Sequence, residues 1–169
     1  IGTAAAGDGL LSLVGLCWRA VDLFLLGDPG ACTALEELRL RADALRCRSI
    51  LFIVSAIEVM LAIRAGRFSE AEEASAACFE LGGEVGDADA LAYRGAHLCA
   101  IRFFQGREAE LADLSASIAA SPTLEERERA FASAAALCAL RAGRPEPARA
   151  LLARFKHYGP ASIPASSSW

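Results

Sequence analysis

The sequence contains no Asn, one Lys (Lys156), one Met (Met60) and two His (His97 and His157). Its six cysteines stand at 17, 32, 47, 78, 99 and 138, with no CxxC pair and no histidine placed to complete a zinc-ligand pattern. No metal site and no cofactor are therefore expected. Enzyme signatures are missing as well: no Gly-rich phosphate loop, no GxSxG and no HExxH. His97 precedes Cys99 by two residues in a helical stretch, so the two point to different faces and make a poor base–nucleophile pair. His97 reads as a structural histidine, His157 as a cation at a helix end. No catalytic residue is assigned.

Charge of one sign is not in excess either. The 17 Lys+Arg against 21 Asp+Glu give −4 at pH 7 and a pI near 5.3. A binder of phosphate backbones or anionic membranes would work against that field, so no nucleic-acid or membrane partner is expected. Three long apolar runs fall short of an uncharged span of about 18 residues, because Arg19 and Asp22 interrupt the first, Glu58 the second, and Arg141 closes the third. The chain starts at Ile1 without a basic n-region, and reads as a segment of something larger that carries no signal peptide. The cysteines, all in apolar or Ala-rich runs, read as free, buried thiols in a reducing cytoplasm.

What is abundant is apolar mass. Adding Gly to the apolar residues and leaving out Tyr brings the share to about 61%, against a usual 45–50%. That excludes disorder, and 169 residues suit one domain. Four turn signals recur, each between an apolar run and an Ala-rich amphipathic one: Leu26-Gly27-Asp28-Pro29, Ala65-Gly66-Arg67-Phe68, Gln105-Gly106-Arg107-Glu108 and Ala142-Gly143-Arg144-Pro145. Their glycines are 39, 40 and 37 residues apart. Glycine can take the left-handed conformation that ends a helix, so each signal is a helix–turn–helix corner. Breaks at 46–49, 82–87 and 121–123 separate the pairs.

The pattern predicts eight helices, at 9–26, 31–46, 49–65, 68–82, 88–105, 108–120, 124–142 and 145–157, paired as 9–46, 49–82, 88–120 and 124–157. Ser69 with Glu72, and Thr123 with Glu126, have capping-box spacing. Ile50-Leu51-Phe52-Ile53-Val54 could be a buried strand, but the run continues to Ile63 without Gly or Pro, which favours a helix covered on nearly every side. Glu36, Arg39, Asp43 and Arg46 have the spacing of a solvated charge ladder.

The corner Gly66-Arg67-Phe68-Ser69-Glu70-Ala71 resembles the tetratricopeptide (TPR) turn, and Gly143-Arg144-Pro145-Glu146-Pro147-Ala148 repeats its Gly and Ala. The repeats are degenerate, with a period above the usual one and no closing Pro. Trp18 to Asp28, Ala62 to Phe68, Gln105 to Arg107 and Ala142 to Pro145 are similar to the divergent TPR arrays of bacterial LuxR/MalT-like transcription regulators and signal-transducing ATPases, common in actinobacteria. The Arg-for-Lys bias agrees with a GC-rich bacterial genome. The resemblance implies an all-α, right-handed α-α superhelix, a TPR-like solenoid, over residues 1–157. Residues 158–169 would then be a tail or the start of a truncated next repeat, and cut ends of the stack would expose apolar surface. It also implies a non-catalytic regulatory segment that binds a protein, a peptide or a small apolar effector.

In such arrays first helices line a concave face. Counting back from each corner Gly places Val14, Val21, Phe24 and Leu25 there, then Ile53, Ala56, Met60, Ile63 and Arg64. The third repeat adds Tyr93, Ala96, Ala100, Phe103 and Phe104, and the fourth Ser133, Leu137, Leu140 and Arg141. The candidate binding residues are Phe24, Met60, Ile63, Arg64, Tyr93, Phe103, Phe104 and Arg141. The same apolar residues could instead be core, or the self-association face of a structural scaffold; a small-molecule-binding helical domain, or an enzyme with no recognisable motif, is the remaining alternative. Arg64 and Arg141 also occupy last turns, where the helix dipole favours a cation.

Overall fold

The computed structural model describes residues 2–120 and 129–153, and these are all-α. Eight helices follow one another: α1 (Gly2–Leu26), α2 (Ala31–Ala44), α3 (Arg48–Arg64), α4 (Phe68–Val85), α5 (Ala90–Gln105), α6 (Ala112–Ala119), α7 (Arg129–Arg141) and α8 (Pro145–Ala153). A 3-10 turn, Glu108–Leu111, leads into α6. The run from Ile50 to Val54 is helical, inside α3. Thr123, Glu126 and His157 lie outside the described residues.

All four corner glycines adopt the left-handed conformation, with φ of 69°, 73°, 68° and 72° at Gly27, Gly66, Gly106 and Gly143. Each forms the same pair of bonds. At the second corner Gly66 N–H donates to Ile63 O at 2.9 Å and Arg67 N–H to Ala62 O at 3.0 Å, which is the Schellman closure of a helix C-terminus. Two breaks between pairs use this device too. At 82–87 the helix continues through Gly82 and Gly83 and ends only at Gly86 (φ 70°). At 46–49 a non-glycine residue, Arg46, takes φ 52°.

Two local expectations are not met. The capping box at α4 does not form: Arg67 is the N-cap, no side chain caps it, and Ser69 is already inside the helix. Glu72 is drawn off by Arg102 of α5, whose guanidinium donates to both its carboxylate oxygens at 2.8 and 2.5 Å. The Glu36–Arg46 ladder is replaced by pairs that bridge helices or use other residues. Arg39 reaches Glu58 of α3, and Arg41 pairs with Glu37 at 3.5 Å. A cross-helix carboxylate can approach without the geometric limits of one helix face, and Arg46 has already left the helix.

Each helix packs on its neighbours in sequence, and α3 also touches α1 and α5. Its Phe52, Val54 and Val59 are fully buried. One face joins Leu13, Ala20, Leu35 and Leu38 of α1 and α2; the other joins Ala71 and Cys78 of α4 and Ile101 of α5. From α6 onward alanines dominate the contacts, Ala119 with Ala132 and Ala135, then Ala136 and Ala139 with Ala148, with Leu151 packed on both groups and Leu98, Leu111 and Cys138 forming a third. Small side chains let these short helices approach closely. Among the described residues the six cysteines are free, but only Cys78 and Cys138 are buried and Cys32 is exposed, so burial is not general.

Helix α1 departs from expectation. By length and composition Gly9–Leu26 is long and apolar enough to cross a membrane, with a mean hydropathy of 1.8, because two charges in 18 residues do not cancel its leucines. In the fold it packs on α2 through Leu13 and Ala20, with Arg19 3.5 Å from Glu37. Its opposite side leaves Leu11, Trp18 and Leu25 exposed.

Candidate functional site

Helices α1, α3 and α5 enclose a cleft of about 390 Å³. Val21, Phe24 and Leu25 of α1 form one wall, and Tyr93, Ala96 and His97 of α5 the other. The floor is α3, through Ile53, Ala56, Ile57, Met60 and Arg64. These positions follow from helical spacing: 53, 56, 57, 60 and 64 are steps of three and four, one face of the helix. The two flanks of α3 carry the core residues Val54 and Val59, one in each apolar cluster, so the same helix serves core and cleft.

Three groups in the cleft are polar. The Arg64 guanidinium lies 5.4 Å from the Phe24 ring centroid, a cation–π contact across α3 and α1. Tyr93 meets Phe52 edge to face, centroids 5.3 Å apart, and burial together with nearby carboxylates keeps its phenol above the usual range, so it is a neutral donor. His97 is 2% exposed and its Nδ1 lies 3.2 Å from Ser75 Oγ of α4. Burial depresses its pKa to about 4 against a weaker opposing hydrogen bond with the Ala56 backbone, so the ring is neutral at pH 7. Arg64 is thus the one formal charge among the lining residues, and none of them is a carboxylate. His97, held between Ser75 Oγ and the Ala56 backbone and 2% exposed, closes its end of the cleft as a neutral ring.

Of the predicted residues the cleft gathers Phe24, Met60, Arg64 and Tyr93. Ile63 does not take part. It is 3% exposed, turned into the core with Phe52 and Ile101, because it lies one step of about 100° from Ala62 and Arg64 on a helix with two apolar faces. Phe103 and Phe104 also lie outside the cleft. They are 55% and 65% exposed, pack edge to face on each other, and Phe104 stacks on Phe68 with centroids 6.2 Å apart. Arg141 is separate again, at the end of α7, 3.9 Å from Glu108. Ile57 and His97 were missed. They flank Ala56 and Ala96, and a stripe one residue wider on each helix would have included them.

Elsewhere, Cys99 of α5 and Cys138 of α7 are free thiols in one apolar cluster with Leu98 and Leu111. No group of three or more His, Cys, Asp or Glu residues among the described residues could hold a metal ion. No protein-family model, curated protein or solved structure matches the chain.

Proposed function

We propose that this chain is a non-catalytic binding module, a TPR-like solenoid of four helix pairs, whose cleft between α1, α3 and α5 receives the apolar part of an effector. The observation that carries this reading is the cleft: about 390 Å³, walled almost entirely by apolar side chains from three helices, with polar groups few and localised. Contacts of α3 with both α1 and α5 support a layer of first helices, as a solenoid requires. The resemblance of the corners to divergent TPR arrays supports a place in a cytoplasmic bacterial regulator of the LuxR/MalT-like or signal-transducing ATPase kind. There a ligand would act by its difference in affinity for two curvatures of the stack.

Ala96 lines the cleft and is half-buried rather than part of the core, so Ala96→Trp adds bulk to the space. With Nile red as a neutral apolar probe, the wild type should give saturable fluorescence enhancement and the folded Ala96→Trp variant should lose most of it. Unchanged binding by that variant contradicts the reading.

A second reading is favoured by α1. Leu11, Val14, Trp18, Val21 and Leu25 recur at alternating three- and four-residue steps, the spacing of a coiled-coil seam, and Leu11, Trp18 and Leu25 are 73%, 65% and 64% exposed. Self-association through this seam would cover Val21 and Leu25 and so compete with the cleft. Light scattering decides: a dimer that Trp18→Glu converts to monomer supports it, and a wild-type monomer at high concentration removes it.

A further inference from the structure

The cleft is apolar along its length and charged at one end. Arg64 stands eleven residues after Ile53 on α3, which at the helical rise puts the two ends of the floor about 16 Å apart. Tyr93 and His97 belong to the Ile53 end, where Tyr93 meets Phe52 and His97 approaches the Ala56 backbone. Arg64 leans towards α1 over Phe24, with Nη2 4.0 Å from where a Cβ on Gly27 would stand.

The helix dipole favours a cation in the last turn of α3, yet it does not require one that reaches across to the mouth of a cleft. Arg39, Arg48, Arg67, Arg102, Arg107 and Arg144 all hold carboxylates. Arg64 has none within 4.0 Å among the described residues. A cation over an aromatic face at the end of an apolar trough is complementary to one anionic head on one apolar body. A guanidinium also matches a carboxylate in a two-pronged geometry. A peptide fits less well: between the two ends no lining side chain could pair its backbone N–H and C=O groups, which would be desolvated at a cost.

Resting on the cleft being the binding site, we propose that its ligand is a small monocarboxylate with a medium-length alkyl or aryl-alkyl body. The carboxylate sits on Arg64 and the apolar body lies along α3 towards Tyr93 and His97. Affinity should then grow by about fourfold for each further methylene buried, up to the length of the floor.

Isothermal titration of the whole chain with octanoate, hexanoate and 1-octanol tests this. Octanoate should bind one to one, and hexanoate should bind more than tenfold more weakly. Arg64→Gln should weaken octanoate tenfold or more while leaving 1-octanol within twofold, and Arg64→Lys should recover part of the loss. If 1-octanol binds as tightly as octanoate, or if Arg64→Gln leaves octanoate unchanged, the carboxylate assignment is overturned and the cleft stands as an apolar site. If neither octanoate nor 1-octanol binds saturably, the cleft reading is overturned along with it.

Discussion

Single residues in this chain carry conformational and protonic strain that can be measured. Arg46 replaces glycine at a Schellman position: its N–H donates to Asp43 O at 2.9 Å, Cys47 N–H donates to Ala42 O at 2.8 Å, and φ is 52°. A side chain in this conformation costs roughly 1–2 kcal/mol. Arg46→Gly should therefore stabilise the fold by about 1 kcal/mol after the extra freedom of glycine in the unfolded chain is set against it. Urea denaturation reads the difference, and a loss of stability would show that the Arg46 side chain contributes more than its strain.

His97 gives a pH dependence whose sign is set by its depressed pKa. The unfolded chain takes up a proton near the ordinary value of 6.5, whereas the folded chain resists until about 4. Stability is complete above about pH 6.5 and declines as pH falls towards 4, by about 3 kcal/mol in all. His97→Gln keeps a partner for Ser75 and should abolish the slope between pH 6.5 and 5. Glu72, whose pKa is lowered mainly by its hydrogen bond to Arg102, and Glu110, lowered mainly by Arg107, act only below their ordinary range, so that window isolates the histidine. A slope that persists in the variant would assign it elsewhere.

At the scale of elements, the Gly-Gly pair near the end of α4 shows where local reading misleads. Glycines so close to a third one read as a break, yet Gly82 is helical because α4, α3 and α5 converge there. A Cβ on it would stand 2.6 Å from Ala90 Cβ and 2.8 Å from Phe52 Cε2. Gly82→Ala should destabilise by about 1–2 kcal/mol despite its higher helix propensity, since overpacking of a buried contact outweighs the gain of about 1 kcal/mol from Ala. Thermal denaturation of this variant beside the solvent-open Gly83→Ala separates the two contributions; equal effects would remove the packing argument. The corner glycines, in contrast, were legible because a single residue dictates the turn. The capping box at Ser69 was not, because its acceptor Glu72 has a stronger partner on another helix.

For the molecule as a whole, the excess of apolar residues has three destinations. Part fills the core on both flanks of α3, part lines the cleft, and part remains exposed on α1 and at Phe103 and Phe104. The all-α class and the central place of α3 could be read from sequence, since an uninterrupted apolar run must be covered on most sides. The division of α3 between core and cleft could not. Ile63 and Met60 are equally apolar and three residues apart, and only the position of α1 and α5 decides which is covered. Phe103 and Phe104 illustrate the same limit: adjacent residues on a helix diverge by about 100°, and neither face met the cleft.

Met60 reports on whether the space between α1, α3 and α5 binds a ligand. Met60 is the only methionine in the sequence and lies on the cleft floor, so its ε-methyl group gives a single NMR signal placed where a ligand would sit. Titration of methyl-labelled protein with octanoate should shift that signal saturably and with one-site stoichiometry, and Ala96→Trp should suppress the shift. A Met60 signal that stays fixed while octanoate binds would place the ligand elsewhere and contradict the account.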